Sequence, residues 1–210
     1  MALFSFLKRD PSGAFWRWFE KNAAAIAEEV QALRKQNKGG EAVIGSASQA
    51  MAGRLKKLHP SLTYELGSEA DWPIEVIISA DGDVEAFPLV AALVSGAPVI
   101  EGFKITAFRP RVGDAYALGM FGKEVTFSQV RYEAWDEDDR MGVKLYIGVT
   151  GLEGDELDAM AFILLDMALG EHDVATGLGT IEVAMGRPDN AKRLKDLAAE
   201  FDAFHTPTLH

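Results

Sequence analysis

The sequence predicts an α+β protein, in which helices pack on a mainly antiparallel or mixed sheet and an N-terminal helical hairpin forms an arm. In the first 60 residues, apolar residues recur every three or four positions, which is the spacing of helices. Later segments alternate apolar and polar residues, which is the period of strands. Strands and helices then mix without the strict alternation that is typical of a doubly wound parallel sheet.

Residues 1–40 are predicted to form a basic helical arm. The stretch Pro11 to Gln36 carries one apolar stripe, formed by Phe15, Phe19, Ala23, Ile26, Val30 and Leu33. A second helix is predicted after Gly39-Gly40, with one face formed by Ile44, Ala47, Met51, Leu55 and Leu58. Trp16 and Trp18 lie off the first stripe, which makes them candidate interaction residues. The alternative is that they pack against the second helix or the sheet.

The stretch from His59 to Arg111 predicts strand, strand, helix and strand. Its apolar run Ile74 to Ile78 is a strand that ends in the turn Ser79 to Asp83. A helix is predicted from Phe87 to Val94, because a proline is tolerated in its first turn and a glycine follows its end. Alternating residues from Val99 to Phe108 predict the next strand.

A hairpin is the clearest feature of the second half. Its strands are predicted at Val130 to Trp135 and Val143 to Val149, with a charged turn from Asp136 to Gly142 between them. Oxygen-bearing residues in that turn resemble the start of a calcium loop, but three of the required positions do not match, which favours a solvated turn. Residues 112–124 are predicted either as a short strand or as a helical turn.

The C-terminal part predicts a buried helix from Gly154 to Leu169 and a last strand from Gly177 to Met185. Pro188-Asp189 then opens a final amphipathic helix, with Asp189 as its cap. Residues 205–210 are predicted to be a flexible tail, so that the acidic α+β domain spans residues 41–204.

The net charge of −11 is unevenly distributed. Residues 1–60 hold ten Lys and Arg against five Asp and Glu, whereas residues 61–210 hold eleven against 27. An acidic body repels phosphate backbones, which argues against a nucleic-acid partner. The basic arm is expected to contact its own body, an acidic partner or an anionic membrane. A membrane contact would use aromatic and basic residues of the arm, namely Phe4, Phe6, Trp16, Trp18, Lys8, Arg9, Arg17 and Lys21.

The absence of cysteine excludes disulfides, a thiol nucleophile and cysteine-ligated metal centres. The first ten residues place apolar residues before charged ones, which is the reverse of a signal peptide. No apolar run has the length of a transmembrane helix. We therefore expect a cytoplasmic protein.

Carboxylates and one imidazole are concentrated around the end of the buried helix. Glu171, His172 and Asp166 are candidate catalytic residues, and Asp173 with Glu171 is a candidate metal site. No second histidine stands at a ligand spacing, so the alternative is an ordinary helix end with Glu171 in solvent.

Arg109 and Arg111 are candidate anion-binding residues. Their spacing at the end of a predicted strand points both guanidinium groups to one side, as a fork for a carboxylate or phosphate. The alternative is a structural ion pair with Asp81, Asp83 or Glu85.

The common catalytic motifs are absent from the sequence. It contains no nucleophile elbow, no Walker loop, no His-Glu-x-x-His motif and no complete dinucleotide fingerprint. His59 is distant in sequence from the other histidines, which lowers the expectation of a catalytic role for it.

Four segments resemble a bacterial family of proteins with a domain of unknown function. They are His59 to Glu65, Ile77 to Gly82, Ala97-Pro98 with Phe103 to Arg111, and Leu169 to Glu171. The resemblance covers roughly residues 41–204 and implies a shared fold, but it implies no activity and no catalytic residue. It singles out five residues for joint testing: Asp81, Gly82, Pro98, Arg109 and Glu171.

These observations favour a non-enzymatic protein-interaction or regulatory module, with a protein partner or self-association. The competing hypothesis is a metal-assisted hydrolase that acts on an anionic small molecule. No cofactor is predicted, although a divalent metal is compatible with the carboxylate cluster.

Overall fold

The computed structural model describes residues 10–36, 45–67 and 73–206. The chain divides into two compact units, Met1–Ala107 and Phe108–His210, a division that the sequence pattern did not predict. Both units combine helices with a sheet, and the predicted α+β class is confirmed. None of the helices in the described ranges has the length and apolar character needed to cross a bilayer.

The first unit consists of two helices followed by a three-stranded sheet with one crossover helix. Its elements are α1 (Pro11–Gln36), α2 (Ser46–Leu58), β1 (Thr63–Gly67), β2 (Ile74–Ser79), α3 (Phe87–Ser95) and β3 (Phe103–Ala107). The central strand β2 pairs antiparallel with β1 and parallel with β3. Because β2 is buried on both faces, it is almost entirely apolar.

The hairpin of α1 and α2 is closed by a cap that comes from the neighbouring helix. Glu29 of α1 accepts hydrogen bonds from the backbone N–H groups of Ala47 (2.8 Å) and Ser48 (2.9 Å), at the N-terminus of α2. Gly45 precedes α2, and a Cβ there would lie 2.0 Å from the Glu29 carboxyl carbon. Burial raises the pKa of Glu29, but the bonds from Ser48 and Ala47 outweigh it and lower the pKa overall.

The strand predicted from Val99 begins later than expected. Strand β3 starts at Phe103, and Val99 is fully exposed. A turn in which the Phe103 N–H donates to the Ile100 carbonyl, with Gly102 at φ +81°, keeps the preceding residues out of the sheet.

The second unit contains a hairpin and a four-stranded mixed sheet with three helices. Its elements are β4 (Leu118–Met120), β5 (Lys123–Val125), β6 (Val130–Glu137), β7 (Arg140–Ile147), α4 (Asp155–Leu169), α5 (Glu171–Gly177), β8 (Leu178–Met185), β9 (Lys192–Arg193) and α6 (Leu197–His205). The strand order is β8-β7-β6-β9, and only the β7–β8 pair is parallel. Residues 112–124 thus include both a strand and a short helical turn.

The main sheet of the second unit has an apolar face and a charged face. Tyr132 and Leu145 are paired across β6 and β7, and both are buried in the core beneath α4 and α6. The next pair, Glu133 and Lys144, points to the opposite face, where Lys144 binds Glu182 of β8 at 2.9 Å. This alternation confirms the predicted hairpin.

Three boundaries in the second unit differ from the predicted ones. The strands β6 and β7 extend through the charged turn, leaving only Asp138 and Asp139 between them, with Asp138 at φ +63°. The final helix begins at Leu197 and not at Asp189, because β9 first pairs with β6. His205, assigned to the tail, ends α6, whereas residues 207–210 lie outside the described ranges.

Candidate functional site

The segment after β3 is bound to the junction between α4 and α5. The Glu171 N–H donates to the Arg109 carbonyl at 3.0 Å, and the Arg109 N–H donates to the Glu171 carboxylate at 3.1 Å. Three residues after Arg109, the Val112 N–H donates to the Met167 carbonyl at 3.0 Å. Glu171 is 1% exposed, so the predicted solvent-facing position for this residue is wrong. The Glu171 carboxylate therefore holds the backbone of Arg109 in place through this hydrogen bond.

Arg109 and Asp166 form an ion pair that is nearly buried. The Arg109 Nη1 donates to the Asp166 Oδ2 at 3.1 Å, and the two side chains are 12% and 9% exposed. Desolvation of either charge is costly without the other, so the pair must remain intact in the folded protein. Asp166 is therefore held by an arginine and is not presented as an acid or base.

Arg111 connects three parts of the second unit. Its Nε donates to the Leu169 carbonyl at 2.6 Å, while its Nη atoms donate to Asp202 at 2.9 Å and Asp173 at 2.6 Å. The bond to Asp202 raises the pKa of Arg111 and lowers the pKa of Asp202. The predicted partners of Arg111, namely Asp81, Asp83 and Glu85, are thus replaced by Asp173 and Asp202.

The candidate residues predicted from the sequence lie close together, but they bind one another through hydrogen bonds and ion pairs. We refer to Arg109, Arg111, Asp166, Glu171, Asp173 and Asp202 as the Arg109 cluster. His172 lies at its edge, with a 58% exposed side chain and its Nδ1 3.5 Å from the Asp173 Oδ1. The predicted anion fork of Arg109 and Arg111 is not supported, because both guanidinium groups already bind carboxylates. Within the described ranges, no three His, Asp or Glu side chains are grouped so as to hold a metal ion, including Asp173 and Glu171.

The prediction that Trp16 is an exposed interaction residue is wrong. Trp16 is 3% exposed, and its indole N–H donates at 2.8 Å to the carbonyl of Leu93, which lies in α3 and not in the second helix or the sheet. The guanidinium of Arg54 lies 4.7 Å from the ring centroid of Trp18, which already has a partner in α2. The predicted membrane residues Phe4, Phe6, Lys8 and Arg9 lie outside the described ranges.

A second group of cations, which sequence reasoning missed, lines a cavity of 280 Å³ in the second unit. We call this cavity the basic pocket. Its cations are Arg131, Arg187, Arg193 and Lys195. These are four of the eleven Lys and Arg residues that follow residue 60, and they lie in the acidic part of the chain.

The sheet register brings like charges together in the basic pocket. Arg131 of β6 and Arg193 of β9 are directly paired across the ladder, an arrangement that is unfavourable unless an anion lies between them. Arg193 has one carboxylate neighbour, Asp196 at 3.1 Å. In the part of the chain that the structure describes, Arg187 and Lys195 form no ion pair.

The backbone around the basic pocket leaves room for these side chains. Arg187 follows Gly186, which has φ +123° at the end of β8. Gly148 lies beside Arg187, and a Cβ at Gly148 would approach the Gln129 carbonyl to 2.7 Å. The ring of Phe127 and the hydroxyl of Ser128 complete the wall, the latter 2.8 Å from the Thr126 Oγ1. The cavity therefore offers guanidinium, ammonium and hydroxyl donors at one end of the sheet.

Comparisons with models of protein families, with curated proteins and with solved structures found no match to this chain. The resemblance to a bacterial family stays a prediction. The function is therefore inferred from the residues of the chain itself.

Proposed function

We propose that this protein is a cytoplasmic, non-enzymatic binding module that recognises a small anion in the basic pocket. The observation that carries this proposal is the direct pairing of Arg131 with Arg193 beside two further cations, Arg187 and Lys195. The proposal keeps the non-enzymatic, regulatory class of function expected from the sequence. It assigns binding to the basic pocket and not to the tryptophans of the N-terminal arm.

The chemistry of the side chains supports an anionic ligand. Guanidinium groups bind carboxylates and phosphates with two parallel hydrogen bonds, and each charge-assisted bond contributes about 1.5–3 kcal/mol. A bound anion also offsets the repulsion between Arg131 and Arg193. Binding therefore stabilises the sheet edge and links ligand concentration to the stability of the fold, which is how a regulatory module responds to its ligand.

The surrounding charge favours a compact anion over a polyanion. Residues 61–210 carry 27 acidic against eleven basic residues, so that an extended phosphate backbone meets repulsion outside the pocket. The hydrolase hypothesis has weaker support, because the carboxylates it requires already bind Arg109 and Arg111.

Calorimetric titration with inorganic phosphate at low ionic strength tests this proposal. We expect saturable binding to the wild-type protein and at least tenfold weaker binding to the Arg131→Gln/Arg193→Gln double variant. Arg140→Gln is the matched control, because Arg140 is an exposed cation at the start of β7 that does not line the pocket. The proposal is wrong if wild-type protein shows no saturation up to about 10 mM phosphate, or if the double variant binds as well as the control.

A further inference from the structure

The basic pocket carries more positive charge than a singly charged anion neutralises. Its four cations are accompanied by Asp114 in the wall and by Asp196, which binds Arg193, so that a net charge of +2 remains. A phosphate monoester has a charge of about −1.5 to −2 at neutral pH and three acceptor oxygens. A carboxylate has one charge and two oxygens. The charge and the number of donors therefore favour a phosphate monoester.

A second cavity continues from the basic pocket. It has a volume of 260 Å³ and shares Asp114, Phe127 and Lys195 with the basic pocket. Small residues such as Ala168 and Ala198 form part of its remaining wall, but most of the surface that this cavity exposes is polar. A short polar group attached to a phosphate in the basic pocket would fit this cavity, since its mainly polar surface can bind such a group through hydrogen bonds or charge.

Asp114 indicates the chemistry of that polar group. Its carboxylate lines both cavities, and no cation pairs with it within the described ranges. The other carboxylate in the second cavity, Asp196, is already bound to Arg193. A lone carboxylate beside a phosphate site repels the phosphate, unless the ligand brings a positive charge of its own.

From this arrangement we infer that the ligand is a small phosphate monoester that also carries an ammonium group. The phosphate binds Arg131, Arg187 and Arg193, and the ammonium binds the Asp114 carboxylate at the boundary of the second cavity. Asp114 then acts as the residue that selects zwitterionic phosphate esters over purely anionic ones. This inference rests on the proposed function, because it requires that the basic pocket binds phosphate.

A comparison of three probes tests the inference. Inorganic phosphate, ethyl phosphate and phosphoethanolamine are titrated into the wild-type protein and into Asp114→Asn, which has nearly the same shape without the charge. We expect wild-type protein to bind phosphoethanolamine about tenfold more tightly than ethyl phosphate, the effect of about 1.4 kcal/mol that one charge-assisted contact supplies. Asp114→Asn should bind phosphoethanolamine more weakly and ethyl phosphate slightly more tightly, because the repulsion of the phosphate is removed.

The outcomes separate the two proposals. Equal binding of both esters to wild-type protein overturns the inference about the ammonium group and leaves the anion site intact. An Asp114→Asn variant that weakens both esters equally also overturns it, because that result indicates a structural role for Asp114. If none of the three probes binds, the proposed function fails as well. Circular dichroism of the variant confirms that it is folded.

Discussion

Two strands of this protein, β3 and β8, are each followed by a residue with positive φ and then by an Arg-Pro pair, yet the two arginines have different environments. Phe108 (φ +63°) precedes Arg109-Pro110, and Gly186 (φ +123°) precedes Arg187 and its own proline. Each strand is also the parallel strand after a crossover helix. The two strand ends therefore share the sign of φ, the Arg-Pro sequence and the type of connection that precedes them.

The difference lies in what surrounds each guanidinium. Arg109 is nearly buried against Asp166, whereas Arg187 is exposed and forms no ion pair among the described residues. A buried cation needs a carboxylate partner to offset its desolvation, whereas an exposed cation stays hydrated and can bind a ligand. The same local sequence is thus followed by a buried ion pair in one place and by an exposed cation in the other, where we propose that an anion binds.

The largest expected difference between the two environments is in stability. Arg109→Met should lower the free energy of unfolding by about 3–5 kcal/mol, because it leaves the Asp166 carboxylate buried without its cation. Arg187→Met should change it by less than about 0.5 kcal/mol, as is usual for surface substitutions. Urea unfolding followed by circular dichroism measures both values. Equal effects of the two substitutions would contradict the assigned environments.

Backbone conformation should matter equally at both places. Gly170 (φ +86°) joins α4 to α5 at the Arg109 cluster, and Gly186 (φ +123°) precedes the basic pocket. Alanine at either position should destabilise the protein by about 1–3 kcal/mol, because both conformations are unfavourable for a residue with a Cβ. Gly53→Ala in the exposed face of α2 is the control and should instead stabilise by up to about 1 kcal/mol. Thermal unfolding of the three variants distinguishes these signs.

The Arg109 cluster should respond to acid. Arg111 lowers the pKa of Asp202 below its usual value of 3.8, so this carboxylate stabilises the fold above that pH and loses its contribution as the pH falls through the lowered pKa. Because the Asp202 side chain is 57% exposed, the contribution should be about 0.5 kcal/mol. Asp202→Asn should reduce the loss of stability between neutral pH and about pH 3, measured by urea unfolding across that range. A pH dependence identical to that of the wild-type protein would be evidence against the Arg111–Asp202 bond.

The smallest change in the free energy of unfolding is expected for the basic pocket, where the substitution should stabilise the protein instead of destabilising it. Arg131→Gln should raise the free energy of unfolding by about 0.2–0.5 kcal/mol at low salt without phosphate, because it relieves the repulsion from Arg193. High salt should remove the difference, since it screens exposed charges. Arg111→Gln, which breaks two ion pairs, is the matched control and should lower stability. Destabilisation by Arg131→Gln at low salt would show that this pair is not repulsive.

Much of the fold could be predicted because it depends on local patterns. The helix α1 was predicted with its observed bounds, since its apolar stripe has a helical period. The strands β6 and β7 followed from alternation, and the end of α4 followed from Gly170. The start of α6 could not be predicted, because Asp189 is a good capping residue by itself and only the pairing of β9 with β6 displaces the helix.

The Arg109 cluster was partly predictable, whereas the basic pocket was not. Arg109, Asp166 and Glu171 were candidates because they are charged and lie near the ends of predicted elements. The sequence does not determine which of the charged residues form ion pairs. Arg131 stands in β6 and Arg193 in β9, and no spacing rule links them. These two arginines are neighbours only because of the register in which β6 and β9 pair.

The sequence by itself determined the helices and strands whose apolar periodicity is local, the turns that require glycine, and the separation of a basic N-terminal part from an acidic remainder. Tertiary structure alone decided which arginines are buried with carboxylates and which lie together at one end of a sheet. The physical reason is that the energy of a charge depends on its solvation and on its neighbours in space, and both are fixed only when distant segments pack.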